Sequence, residues 1–429
     1  MTDAMQAARR AANCNIHKLA SGLTVLVRPM PGYSGVHAMY ATRFGSVDGT
    51  FKLDGKLIQL PEGVAHFLEH KMFESEEGDA FALYAKTGAS ANAFTSFDKT
   101  CYLFTATRKV DESLDILLNM VGKPYFTKAT IDKEQGIIGQ EIKMYEDSPD
   151  WRLITGLCDC LYRDHGIRFD IAGSVDSIAQ ITPEMLYACT DAFYSPANMV
   201  LAVAGNVTRE QVLAACERAG LNQPRQLPDS QALWPDEPLT VKEPFREFEM
   251  AVSKPCFGLG FKEKPFAMDD PMGDILCDLV GEVICGDMTP LYRRLYDEGL
   301  VNPGFDCEFL NLPGACCLLF TGESDQPEKV RGMILDEIER LRRDGVEDEL
   351  FTLCKNQMYG EFLQELDNVD DACGAMMSSA LKGRTLTDEV EALAKLTKAD
   401  LEGALRTMLQ PERSAMVIIH PAGTKGETD

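Results

Sequence analysis

His66, Glu69 and His70 stand together in the run Gly63-Val-Ala-His-Phe-Leu-Glu-His-Lys-Met-Phe73. On a helix, residues four apart lie one turn above each other, so the two imidazoles can aim at one point. Glu69 sits three residues from His66 and next to His70, within reach of a water held by both. Two neutral imidazoles, a carboxylate and an open fourth position make a catalytic zinc site. The chain has only six histidines, so the pattern is informative. A third ligand should be a carboxylate on a second element. Thr130 to Tyr145 reads as a helix with Thr130 as its N-cap, and Glu134 and Glu141, seven apart, share one face. One of them can bind metal while the other holds the free N–H of a ligand imidazole. Spacing alone leaves Glu134, Glu141 and Glu146 in competition. Gly136 and Gly139 each cost such a helix about 1 kcal/mol relative to alanine, so tertiary packing has to hold it.

The elements that must position these groups recur along the chain. Thr100–Ala106 resembles Ala315–Gly322. Leu186–Pro196 with the apolar run from Met199 resembles Leu401–Pro411 with the run from Met416, and Lys143-Met-Tyr145 resembles Gln357-Met-Tyr359. All three matches share an offset of about 215 residues, the signature of two similar halves. Leu23–Val27, Cys101–Thr105 and Met199–Val203 are short, partly β-branched runs that read as strands. Leu114, Leu117, Leu118 and Val121 fall on one face of a helix. The elements do not alternate regularly enough for a doubly wound sheet. The expected class is α+β: two homologous domains, each a mixed or antiparallel sheet with helices packed mainly on one face. Pro-rich breaks place the joint at 222–245, between a domain over 1–221 and another over 246–429.

Composition bounds the partners. The 429 residues carry a formal charge of −25, with 45% apolar and 25% charged residues. Such a chain is neither disordered nor fibrous, and its excess of acid argues against a nucleic-acid backbone as partner. No apolar run approaches a membrane-spanning length, and the N-terminus lacks the apolar core of a signal peptide. The 14 cysteines are scattered, without paired CxxC units. Free buried thiols in a cytoplasmic protein are the expectation.

The inverted H-x-x-E-H motif, followed some seventy residues later by E-x(6)-E, resembles the pitrilysin/insulinase family of zinc peptidases, the inverzincins, and within it the bacterial YmfH-like branch. The likeness runs from Gly22-Leu-Thr-Val25 through His66–His70, Gly88–Thr95 and Glu134–Glu141 to Leu295–Leu300. It implies one zinc ion per chain on His66, His70 and Glu141, with Glu69 as general base and Glu134 supporting a ligand from outside. Ala91, Asn92 and Ala93 would lie on the edge strand along which substrate peptides add, a mode that suits small residues. The resemblance also implies that a chain of this length is half of a four-domain clamshell, completed as a homodimer or as a heterodimer with a related subunit lacking the metal ligands. An enclosing chamber would select short or unfolded peptides by size.

The second half departs from the motif. Positions Gly281, Ile284 and Cys285 correspond to the first half's site without an H-x-x-E-H, and Lys355 falls opposite Glu141. The family's paired Arg and Tyr are also missing from Leu295–Asn302, where Arg293 and Arg294 are the nearest cations. A zinc endopeptidase, acting in peptide degradation or precursor processing, is the leading expectation. A catalytically weak peptide-binding or scaffold subunit is the alternative. A zinc hydrolase with a non-peptide substrate is disfavoured by the edge-strand segment.

Overall fold

The computed structural model describes residues 3–76 and 78–423. The first large sheet contains β1 (Asn15–Lys18), β2 (Thr24–Pro29), β3 (Val36–Thr42), β4 (Ser90–Thr95), β5 (Thr100–Ala106) and β6 (Met199–Gly205), in the spatial order β1-β2-β6-β3-β5-β4. The second contains β7 (Phe245–Met250), β8 (Cys256–Glu263), β9 (Asp306–Leu312), β10 (Ala315–Glu323) and β11 (Ser414–Pro421), in the order β7-β11-β8-β10-β9. Apart from β1, the two orders superimpose strand for strand. In each sheet only the pair next to β1 or at the β7 edge is parallel, β2 with β6 and β7 with β11.

The internal repeat therefore holds at the level of register. Phe104 on β5 faces Ala38 of β3, as Phe320 on β10 faces Leu259 of β8. Pro196 and Pro411 each open a 3-10 turn that leads into the matching strands β6 and β11. The fold is α+β with mixed sheets, as the sequence indicates.

The helices that matter to the site are α1 (Val64–Lys71), α2 (Val110–Gly122), α3 (Lys128–Glu146), α4 (Pro149–Leu161), α5 (Pro271–Cys285), α6 (Asp348–Asp367) and α7 (Val369–Leu381). Helix α2 buries Leu114, Leu117, Leu118 and Val121, the face expected from their spacing. Most helices cover one face of each sheet. In the second sheet, Phe257, Leu259 and Phe261 share a core with Val280, Val283 and Ile284 of α5. On the opposite face α4 packs against β7, β8 and β11. Strand residues alternate between faces, so Gly258 and Gly260 point the other way. A Cβ on Gly260 would lie 2.9 Å from Leu161 of α4, and one on Gly258 would lie 3.1 Å from Leu157. The bare backbone lets α4 settle against the sheet.

Helix α7 takes the equivalent place on β3 and β6 of the first sheet. The Cys373 thiol meets the carbonyls of His37 and Ala202, and Arg43 donates to the last carbonyls of α7 at Ala380 and Leu381. Each sheet is thus completed by a helix from the other half of the chain. One compact unit runs to Ile142 and takes Asp170–Trp234 and Phe362–Asp388. The other comprises Lys143–Phe169, Pro235–Glu361 and the described residues from Glu389.

This division differs from a cut at 222–245. The joint is also not a loose linker. Ser230–Ala232 pairs as a strand with Phe51–Leu53, and the Trp234 indole N–H donates to Asp48. Further on, Glu237 accepts the backbone N–H groups of Arg163, Asp164 and His165 and forms a buried 2.6 Å pair with Lys262. All fourteen cysteines are free thiols, twelve of them buried. Among the described residues, no helix is long and apolar enough to cross a membrane.

Candidate metal centre

Helix α1 has only eight residues, too short to persist by intrinsic propensity. Burial holds it: every residue except His70 is buried, and Phe67 and Leu68 are fully so. Its entry depends on Gly63, which adopts a left-handed φ of 86°. A Cβ there would sit 2.4 Å from the Ala172 carbonyl oxygen. The chain can therefore turn into the motif only at a glycine.

The two histidine rings meet edge to face on α1 with centroids 4.7 Å apart. Glu141 reaches them from α3, with Oε1 3.7 Å from His66 Nε2 and Oε2 3.3 Å from His70 Nε2. One ligand atom from each of the three residues lies within 4.8 Å of the others, and no other such trio occurs among the described residues. Zinc bonds to nitrogen and oxygen of about 2.0–2.2 Å place tetrahedral donors roughly 3.3–3.6 Å apart. The 3.3 Å separation falls in that range, and the 3.7 Å one lies just beyond it and is too long for a hydrogen bond. The donor set fits zinc.

Two turns before Glu141 on α3, Glu134 is buried and its Oε1 accepts the N–H of His70 Nδ1 at 3.1 Å. In the neutral ring that bond leaves Nε2 as the lone-pair nitrogen facing Glu141. Burial works against charge on His70, but its hydrogen bonds to Glu134 and Glu141 raise its pKa to about 9. Burial would raise Glu134 as well, yet the hydrogen bond from His70 and the charge of Lys71 hold it below the usual carboxylate range. Glu146 ends α3 as an exposed residue and is not one of the converging donors. The helix begins at Lys128, so Thr130 lies inside it rather than capping it, and its hydroxyl donates to the Thr127 carbonyl.

Glu69 is buried beside the histidines, and burial pushes its carboxyl upward. The Thr95 hydroxyl donates to its Oε2 at 2.6 Å, which partly offsets that rise. Thr95 ends β4, the edge strand carrying Ala91, Asn92 and Ala93. The Ala93 N–H is taken by the Asn92 side chain, not by β5. In an antiparallel pair such outward positions alternate, so Ala91, Ala93 and Thr95 present their backbone to the open edge. Three residues past His70, Phe73 lines a cavity of about 520 Å³ with Ala80, Leu83, Ile116, Met120 and Tyr125.

The matching region of the second half holds no such cluster. Gly281, Ile284 and Cys285 are buried in α5. Lys355 on α6 donates to the carbonyls of Ala394 and Leu396. Arg293 lies on the surface in an exposed pair with Asp297. Two contributors went unassigned in the sequence: Thr95, visible only as the end of a strand, and Lys71, a charged residue closing an otherwise buried helix.

Residues 60–173 match the family model for insulinase (peptidase family M16), and residues 180–358 match the model for the peptidase M16 inactive domain. The chain belongs to the M16, or insulinase, family of peptidases. It is 34% identical to the uncharacterized zinc protease YmfH of Bacillus subtilis, over 94% of this chain and 96% of that one. The crystal structure of a putative M16-like peptidase from Alicyclobacillus acidocaldarius superimposes with a TM-score of 0.92 at 31% identity, covering 96% of this chain and 98% of that one. Pitrilysin shares the fold, with a TM-score of 0.76 at 16% identity; 96% of this chain spans 45% of its length.

Proposed function

We propose that this chain is a zinc endopeptidase of short or unfolded peptides, with one ion held by His66, His70 and Glu141. The carrying observation is the convergence of those three donors within 4.8 Å of one another beside a buried Glu69 and an open strand edge. Zinc bound there supplies Lewis acidity toward water and the peptide carbonyl. The remaining work belongs to the protein. A peptide adds to β4 in extended form through the outward groups of Ala91 and Ala93, displacing the Asn92 side chain from the Ala93 N–H. Thr95 pins Oε2 of Glu69, leaving Oε1 to accept a proton as water adds to the carbonyl and to return it to the leaving amine. Burial places the Glu69 carboxyl closer to neutral pH than a solvated glutamate, which suits both transfers.

Alignment with less than half of pitrilysin supports completion of the working assembly by a second chain, either another copy or a related subunit. Cytoplasmic residence is part of the same proposal and accords with fourteen free thiols. The alternative, a peptide-binding subunit with little hydrolysis, draws on the second half, which matches an inactive-domain model and, among the described residues, brings no three metal donors together. Zinc analysis and a quenched-peptide pool separate the two. The expected result is about one zinc per chain and cleavage that a chelator removes and zinc restores. Stoichiometric zinc without cleavage, in homodimer and mixed assembly alike, would favour the alternative.

Zinc uptake should also depend on pH with a definite sign. Below pH 9 the metal-free centre carries a proton on His70 that the ion must expel. Apparent zinc affinity is therefore expected to rise about tenfold per pH unit from pH 7 toward 9 and then level off. Calorimetry in buffers of different ionisation heat should show close to one proton released per zinc at pH 7.5. Uptake with no proton release would contradict the His70 assignment.

A further inference from the structure

Lys71 closes α1, one residue after His70, and its side chain is 0% exposed. A lysine is almost never so deeply buried without partners. It has two. Its ammonium lies 2.6 Å from Glu74 Oε2 and 3.5 Å from Glu134 Oε2. Glu134 uses its other oxygen, Oε1, on His70 Nδ1, and the far nitrogen of that ring faces Glu141. The four groups form a line from a buried cation to the zinc donors.

We propose that Lys71 is a positioning residue of the metal centre, fixing Oε2 of Glu134 so that Oε1 stays on His70 Nδ1. This rests on the reading of His66, His70 and Glu141 as zinc ligands. A glutamate side chain has three rotatable bonds, and one hydrogen bond to an imidazole leaves its carboxylate free to turn. A cation on the second oxygen removes that freedom without competing for the first. The charge count points the same way. Glu74 and Glu134 share one ammonium, and a neutral residue at 71 would leave two neighbouring carboxylates unbalanced, one of them buried. Glu134 would then turn toward whatever solvent or donor it could reach, and His70 would lose the contact that sets its tautomer and angle. Glu74 belongs to a two-residue strand paired with Gly78–Asp79, so the same ammonium also anchors that hairpin. A purely structural Lys71 would act through Glu74 alone.

The two roles separate by zinc affinity, measured by chelator competition on the full-length protein without reference to turnover. Lys71→Met is expected to weaken zinc about tenfold or more, in the range for loss of a group supporting a ligand. Lys71→Arg, which keeps the cation, should stay within about threefold of the parent, and Glu74→Gln should change affinity little. In a Glu134→Gln background, Lys71→Met should add less than about twofold, because the neutral amide has already lost the charge through which Lys71 holds it on His70. Parent-like affinity in Lys71→Met, or effects that multiply in the double variant, would overturn the proposal. Lys71→Gln is measured in parallel; failure of both neutral variants to fold would place the lysine's role in the fold and likewise overturn it. If the parent itself binds no zinc, the metal-centre reading falls together with this one. If the parent and Glu134→Gln behave as expected and Lys71→Met does not, only the role of Lys71 is lost.

Discussion

Glu69→Gln is expected to lower kcat for peptide cleavage by about 10³-fold or more while zinc content stays near one per chain. Glutamine keeps the length of the side chain, and its carbonyl oxygen can still accept the 2.6 Å hydrogen bond from Thr95. What it loses is the ability to take a proton from water and return it to the departing amine. Glu69 lies outside the trio formed by His66, His70 and Glu141, so the metal should remain. KM should change little, since the peptide is held by the backbone edge of β4. The measurement is steady-state cleavage of a quenched peptide alongside metal analysis of the same sample. Parent-like turnover would remove Glu69 from the mechanism, and loss of zinc would show that its role is structural.

Replacing the three acidic candidates on α3 should produce a graded series in zinc affinity. Glu141→Ala removes a donor and should weaken zinc by about 10³-fold or more, leaving the purified chain largely metal-free. Glu134→Gln keeps all three donors and replaces the anionic acceptor of the His70 Nδ1 N–H by a neutral amide oxygen, so about 10- to 100-fold is expected. Glu146→Gln changes an exposed residue at the end of the helix and should have no measurable effect. A stronger loss in Glu134→Gln than in Glu141→Ala would exchange their roles. The order of the three tests the geometry more sharply than any single value.

That order was not available from spacing. Glu134 and Glu141 lie two turns apart on one helix face, and either could approach a metal held by α1. Their separation into a ligand-distance carboxylate and one bonded to His70 Nδ1 comes from how α3 is placed against α1. Thr130 illustrates a related limit. A threonine before an amphipathic run looks like an N-cap, but the helix starts at Lys128 and the capping threonine is Thr127, whose hydroxyl accepts the Thr130 N–H while its own N–H donates to the Thr130 hydroxyl. The face of α4 shows the same thing on a larger scale. Leu153, Leu157 and Leu161 mark an apolar stripe, yet nothing in their period says that it seats on Gly258 and Gly260, some hundred residues later in the chain. A cut at 222–245 follows chain order, whereas the compact units exchange α4 and α7.

The sequence by itself determined the pairing of His66 with His70, the place of Glu69 beside them, the repeated strand pattern and the absence of a second H-x-x-E-H. Those properties depend on neighbours within a turn or on patterns repeated along the chain, where backbone geometry leaves little choice. Spacing left open which acid meets the imidazoles, a choice the family resemblance made and the geometry agrees with, and only the tertiary structure decided that Thr95 holds Glu69, that Lys71 is buried between Glu74 and Glu134, and which sheet each crossing helix completes. These contacts join segments far apart in the chain or fix side chains across them, and their energies come from packing and desolvation that no local pattern encodes.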